Sequence, residues 1–146
     1  MRKSIRPRWP KAEAGQGIAV RVVIAAGAAS AGAHAGLVPE HLREAPQLGI
    51  AFILASVVLL AVVVALALCP EDRRIPLVAG LLLTGLIASW GASRVAGIPF
   101  LQPQPEPVDL VGLVTKLVEV LGLAFALWLS QPVGGLRSSA IQEVSR

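Results

Sequence analysis

The chain has 146 residues, of which 55% are apolar and only 15% charged, with a formal net charge of +4. Soluble domains carry about a quarter charged residues, so this composition leaves too few charges to clothe a water-facing surface. Cys69 is the only cysteine and Met1 the only methionine, which excludes an intramolecular disulfide, the usual cysteine zinc patterns and a thioether copper site.

The chain opens with a basic tail, residues 1–17, carrying Arg2, Lys3, Arg6, Arg8 and Lys11. The isoelectric point near 10.2 therefore comes from cations stacked before the first apolar block, where they act as a topology signal and attract anionic headgroups. No DNA- or RNA-recognition motif accompanies them, so nucleic acid is not an expected partner. The first apolar stretch, residues 18–37, is rich in alanine and glycine and contains Arg21. One reading is a retained helix; the other is a cleaved signal peptide ending at Ala31-Gly32-Ala33 or Ala33-His34-Ala35. Arg21 inside the apolar stretch favours the retained helix.

The second stretch, residues 48–69, is free of charge. At about 1.5 Å per residue it reaches roughly 33 Å, enough for a hydrocarbon core near 30 Å. Pro70, Glu71, Asp72, Arg73 and Arg74 make a link so short that the third helix, residues 75–96, must turn straight back, with Pro76 suited to its first turn. Pro99, Pro103, Pro105 and Pro107 then alternate through a loop expected to be extended. The fourth helix covers residues 108–129, and a polar tail, residues 131–146, closes the chain.

The expected fold is all-α, an integral membrane bundle of four transmembrane helices with both termini inside, its membrane domain spanning residues 18–130. Ten cations then lie on or beside the inner segments: the five of the tail with Arg21, Arg73, Arg74, Arg137 and Arg146. Only Arg43 and Arg94 fall outside, and Lys116 lies within a span. That asymmetry is the positive-inside pattern. The expected location is the bacterial cytoplasmic (inner) membrane, multi-pass, with the lipid bilayer as the first partner.

Helices in lipid associate through close packing and polar contacts, because lipid is as apolar as leucine. Ala28, Gly32 and Gly36 recur every fourth residue in the first helix, and Gly85, Ser89, Ser93 and Gly97 do so in the third. Each row is expected to admit a neighbouring backbone. The second helix lacks such a row and is expected to be the most lipid-exposed.

In the fourth helix Asp109, Gly112, Lys116 and Glu119 fall within an arc of about 80°. Leu110, Val114, Leu117, Leu121, Phe125 and Trp128 occupy the opposite face. Glu119 lies near mid-span, where an ionised carboxylate must be paired, protonated or wet. Helical side chains lean towards the N-terminus, which brings Glu119 towards Lys116. Two readings remain open: a proton- or ion-coupled site, or a buried ion pair that fixes helix orientation or docks on another subunit.

A second group gathers at the outer end: His34, then Glu40, His41 and Glu44 in the loop that follows, with Arg94 at the end of the third helix. Histidine and carboxylate suit zinc or another divalent metal, and His34 and His41 are the candidate metal or axial haem ligands. The spacing is not diagnostic, Pro39 is expected to interrupt any helix aligning them, and no haem-attachment motif is present, so no cofactor is expected. Arg94 is placed to pair with Asp109 or Glu106, or to snorkel. Trp9, Trp90 and Trp128 fit interfacial positions. No P-loop, nucleophile elbow, zinc-protease motif or C-x-x-C is present, and the chain is not expected to be an enzyme.

Three stretches resemble small four-helix bacterial membrane proteins of uncharacterised activity. They are residues 34–42, the sequence Ser93-Arg94-Val95-Ala96-Gly97-Ile98-Pro99, and Glu106-Pro107-Val108-Asp109-Leu110 continuing through Lys116 and Glu119. The resemblance implies the four-helix topology and draws interest to His34, His41, Arg94 and Glu119, but implies no reaction. The leading expectation is a non-enzymatic accessory or assembly subunit of a larger membrane complex, contacting another membrane protein or its own copies through the small faces and the Lys116/Glu119 stripe. The alternatives are a small oligomeric proton- or ion-coupled carrier using Glu119, and a metal or haem protein using His34 and His41.

Overall fold

The computed structural model describes residues 11–131, and these form four helices. They are α1 (Lys11–Glu44), α2 (Pro46–Leu68), α3 (Arg74–Val95) and α4 (Leu110–Ser130). All four are long and apolar enough to cross a membrane. Trp9, most of the basic tail and the polar tail after Gln131 lie outside the described residues.

The largest departure from the sequence expectation is α1. Its 34 residues run through Pro39 to Glu44, so the expected loop after His34 is helix, and Ala45 alone separates α1 from α2. Proline removes one intrahelical hydrogen bond and crowds the carbonyl one turn back. A neighbouring helix holds the segment from the side: Leu42 lies so close over Gly49 that a Cβ there would sit 2.7 Å from Leu42 Cδ2. His41 meets the Phe52 ring with centroids 4.7 Å apart. At about 1.5 Å per residue α1 is roughly 50 Å long, so it extends beyond the 18–37 stretch at both ends. Residues 11–17, read from sequence as part of the tail, belong to this helix.

Consecutive helices run antiparallel. Gly27 faces Val63 and Ala31 faces Ser56, while Gly80 meets Leu123, Ala126 and Leu127. Two apolar clusters fill the interior. One joins Ala19, Val20, Val23, Leu66, Ala79, Ala126 and Leu129, and the other joins Ala31, Leu59 and Leu83. The second helix is the least buried of the four, as its plain aliphatic sequence implied.

The small-residue rows do not do what was expected of them. Ala28, Gly32 and Gly36 are exposed, and nothing lies within 4 Å of a Cβ built on Gly32 or Gly36. In α3, Gly85 and Ser89 face outward while Ser93 is buried, as is Gly97 in the loop just past its end. Close approach happens at other glycines. A Cβ on Gly27 would sit 2.7 Å from Val63 Cγ2, and one on Gly122 would sit 2.7 Å from Ala26 Cβ. Spacing alone identified rows of small residues, but the small residues turned inward are others, Ala26, Gly27, Ser30 and Ala31 of α1 and Gly122 of α4.

Between α3 and α4 the chain doubles back. Ile98 and Gln102 exchange backbone hydrogen bonds of 2.6 and 2.7 Å around Pro99, Phe100 and Leu101. Gly97 has φ 72°, and a Cβ there would fall 2.5 Å from Pro103 O, so only glycine fits. Phe100 has φ 66°, a left-handed conformation that costs an L-residue roughly 1–2 kcal/mol. The proline loop is thus a closed turn at its start, not an extended strand throughout.

Candidate functional site

Ala26 and Gly122 bring α1 and α4 into near backbone contact, and this approach decides what the next turn of each helix meets. Three residues before Gly122 in α4 stands Glu119, and four after Ala26 in α1 stands Ser30. Both are fully buried. Ser30 Oγ donates to Glu119 Oε1 at 2.6 Å, and Lys116 Nζ donates to Glu119 Oε2 at 2.5 Å. Each carboxylate oxygen therefore has a donor, one of them a cation. A buried carboxylate is tolerable only on such terms.

His34 completes the cluster from α1. Its Nδ1 lies 2.8 Å from the Ser30 carbonyl oxygen. That oxygen can only accept, so Nδ1 carries a proton and Nε2 holds the lone pair in the neutral ring. The same Nδ1 lies 3.4 Å from Ser30 Oγ, whose own proton is committed to Glu119. The ring stands edge-on to Phe52 with centroids 5.3 Å apart. His34, Ser30, Glu119 and Lys116 thus form one connected polar chain across the α1–α4 contact. Sequence reasoning singled out three of them but placed His34 with the outer loop and missed Ser30. The available signal was the i, i+4 spacing of Ser30 and His34, the only strongly polar side chains between Arg21 and Glu40.

Two sequence assignments need correction. Asp109 does not belong with Lys116 and Glu119: it is the N-cap of α4, half exposed, accepting from Gly112 N at 2.6 Å. It lies within the same arc of about 80° as Glu119, but almost three turns away along the axis. The Lys116/Glu119 pair is also enclosed by its own bundle, with Lys116 8% and Glu119 0% exposed. It cannot serve as a contact surface for another protein.

The outer group divides in the structure. Glu40 and Glu44 point outward on the exposed side of α1, and His41 Nδ1 donates to Leu37 O at 2.9 Å. His34 and His41 both touch Phe52, yet they lie two helical turns apart, roughly 10 Å along the axis. That offset on one helix does not put two imidazoles on opposite sides of a single iron. Among the described residues, no group of three His, Cys, Asp or Glu side chains converges as a metal site.

Arg94 belongs to another assembly. Its guanidinium binds Glu106 through Nη1 and Asp109 through Nη2, the latter at 3.0 Å, and lies 5.4 Å from the centre of the Trp90 ring. Gln102 also bonds Glu106, whose backbone N–H donates to Ser93 O at 3.0 Å. Arg94 therefore ties the loop 96–109 onto the end of α3 and the start of α4. Trp128 is half exposed at the other end of the bundle. Ser56 Oγ lies 2.8 Å from Phe52 O and 3.1 Å from Ala31 O, so its one proton is shared between its own helix and α1.

Comparison with protein-family models, with curated proteins and with solved structures finds no significant match.

Proposed function

We propose that this protein is a multi-pass protein of the bacterial inner membrane, with both termini inside, and that it is a non-enzymatic accessory or assembly subunit docking on a larger membrane complex. The observation that carries the reading is the bare outward face of α1. Between Ile18 and Leu42 that helix exposes no large apolar side chain, whereas α2, α3 and α4 turn leucine, isoleucine and valine outward. Ala28, Gly32 and Gly36 lie on this face with open space around them. Small residues in a membrane helix favour close helix–helix contact, and here the chain's own helices do not use them. The Ser30–Glu119 bond, with Lys116 pairing Glu119 inside α4, ties α1 to α4 and so fixes which face remains outward.

The test is one substitution on that face. After gentle solubilisation, the wild-type protein is expected to travel in a particle larger than its 15.2 kDa chain. Gly32→Leu is expected to release it as a monomer with unchanged thermal stability, because nothing occupies the space the leucine enters. If the two proteins migrate identically, the docking role of α1 is wrong.

The connected polar chain favours a second reading, a small oligomeric carrier in which Glu119 takes part in proton or ion transfer. Purified protein in vesicles, loaded with a pH-sensitive dye, then shows a flux that Glu119→Gln abolishes. Flux that is absent from the wild type, or that survives the substitution, removes that reading.

A further inference from the structure

We infer that the turn at Pro99 and Phe100 is a membrane-interface anchor, with the Phe100 ring seated at the boundary between headgroups and acyl chains of the outer leaflet. Phe100 is 96% exposed, so it makes almost no contact within the chain, and it holds φ 66° where glycine would be free of strain. Nothing among the described residues covers the ring that this backbone presents. The turn is also braced, by the paired hydrogen bonds between Ile98 and Gln102 and by Pro99 at its second position.

Three observations point to lipid as what covers it. The apolar surface does not stop at the helix ends: Val95 is 83% exposed, Val108 63% and Leu110 76%. It runs from the outward leucines and valines of α3 and α4 into the loop. Charge does not oppose this course, since Glu106 and Asp109 are the only ionisable side chains of loop 96–109 and both are bound to Arg94. The loop cannot reach far from the helix ends either, because Glu106 N–H is bonded to Ser93 O and Gly97 packs against Pro103 O. An exposed Phe at that level suits the boundary between headgroups and acyl chains, where interfacial segments bury Trp, Phe and Leu.

The inference rests on the reading that the four helices cross the bilayer, and the test separates the two. In the Cys69→Ser background, Phe100→Cys and Leu117→Cys are each nitroxide-labelled in the full-length protein, reconstituted in phosphatidylcholine–phosphatidylglycerol vesicles. Leu117, 63% exposed on the outward face of α4, reports the span itself. Oxygen collisions are expected to exceed those of a water-soluble nickel chelate at both positions. As a check that keeps an aromatic in place, the emission that Phe100→Trp adds to wild type is expected to be quenched by lipid brominated high on its acyl chain. Nickel access at 100 with oxygen access at 117 overturns the anchor and leaves the membrane reading intact. Shielding of position 100 from both reagents means a protein surface covers it and also overturns the anchor. Nickel access at 117 overturns both.

Discussion

Lys116→Met is expected to destabilise the bundle by about 3 kcal/mol or more, the loss typical when one partner of a buried ion pair is removed. Glu119 keeps Ser30 as a donor after the change, but a neutral hydroxyl does not balance a carboxylate that is wholly enclosed. The double variant Lys116→Met/Glu119→Leu is expected to regain most of that loss, since apolar replacements of a buried pair are often neutral or better. Ser30 has an outlet in the double variant, the carbonyl one turn back in its own helix. Thr84, Thr115 and Ser130 already bond in that way, to Gly80 O, Val111 O and Ala126 O. Detergent-titrated unfolding in mixed micelles measures all three proteins. A double variant as unstable as the single one would mean that the pair does more than balance the charge of Glu119 beside Ser30 of α1.

Gly122→Leu is expected to cost about 3 kcal/mol, at the upper end of ordinary overpacking. Even the first added carbon would fall 2.7 Å from Ala26 Cβ and 3.2 Å from Leu83 Cδ1. Ala26 Cβ has no torsion by which to move aside, so α4 must separate from α1. That separation would also stretch the Ser30–Glu119 bond one turn away. Gly32→Leu, on the outward face of α1, is the matched control and should unfold like wild type in the same titration. Equal destabilisation by both substitutions would contradict the assignment of inner and outer faces.

The four helices were legible because long uncharged stretches and short polar links constrain a chain strongly. The link at residues 70–74 could only be a reversal, and residues 48–69 could only be a long apolar helix of nearly the extent observed. The reading failed where a neighbour overrode a local rule. Proline at position 39 predicts a break, yet Leu42 on Gly49 and His41 on Phe52 hold the helix to Glu44. It failed again at Asp109, where angular position around α4 was right but depth along the axis separated it from Glu119. Asp109 and Glu106 were named as alternative partners of Arg94, beside snorkelling, and the structure pairs Arg94 with both. Ser30 was missed because a single serine in an alanine-rich helix can equally bond its own backbone, and its spacing to His34 was the one sign of another role.

By itself the amino-acid sequence indicated that the chain is helical, where the long apolar helices among the described residues lie and roughly where they end, and that Glu119 needs a partner. Periodicity, charge distribution and the cost of burying a carboxylate are local properties, and they can be read one residue at a time. Only the tertiary structure decided which glycines are used inside and which are left outward, and that Ser30 and His34 join Lys116 at Glu119. Those outcomes depend on which two helices touch and at what height. Helix contact is a choice among many nearly equal small-residue faces, settled by the packing of all four helices at once.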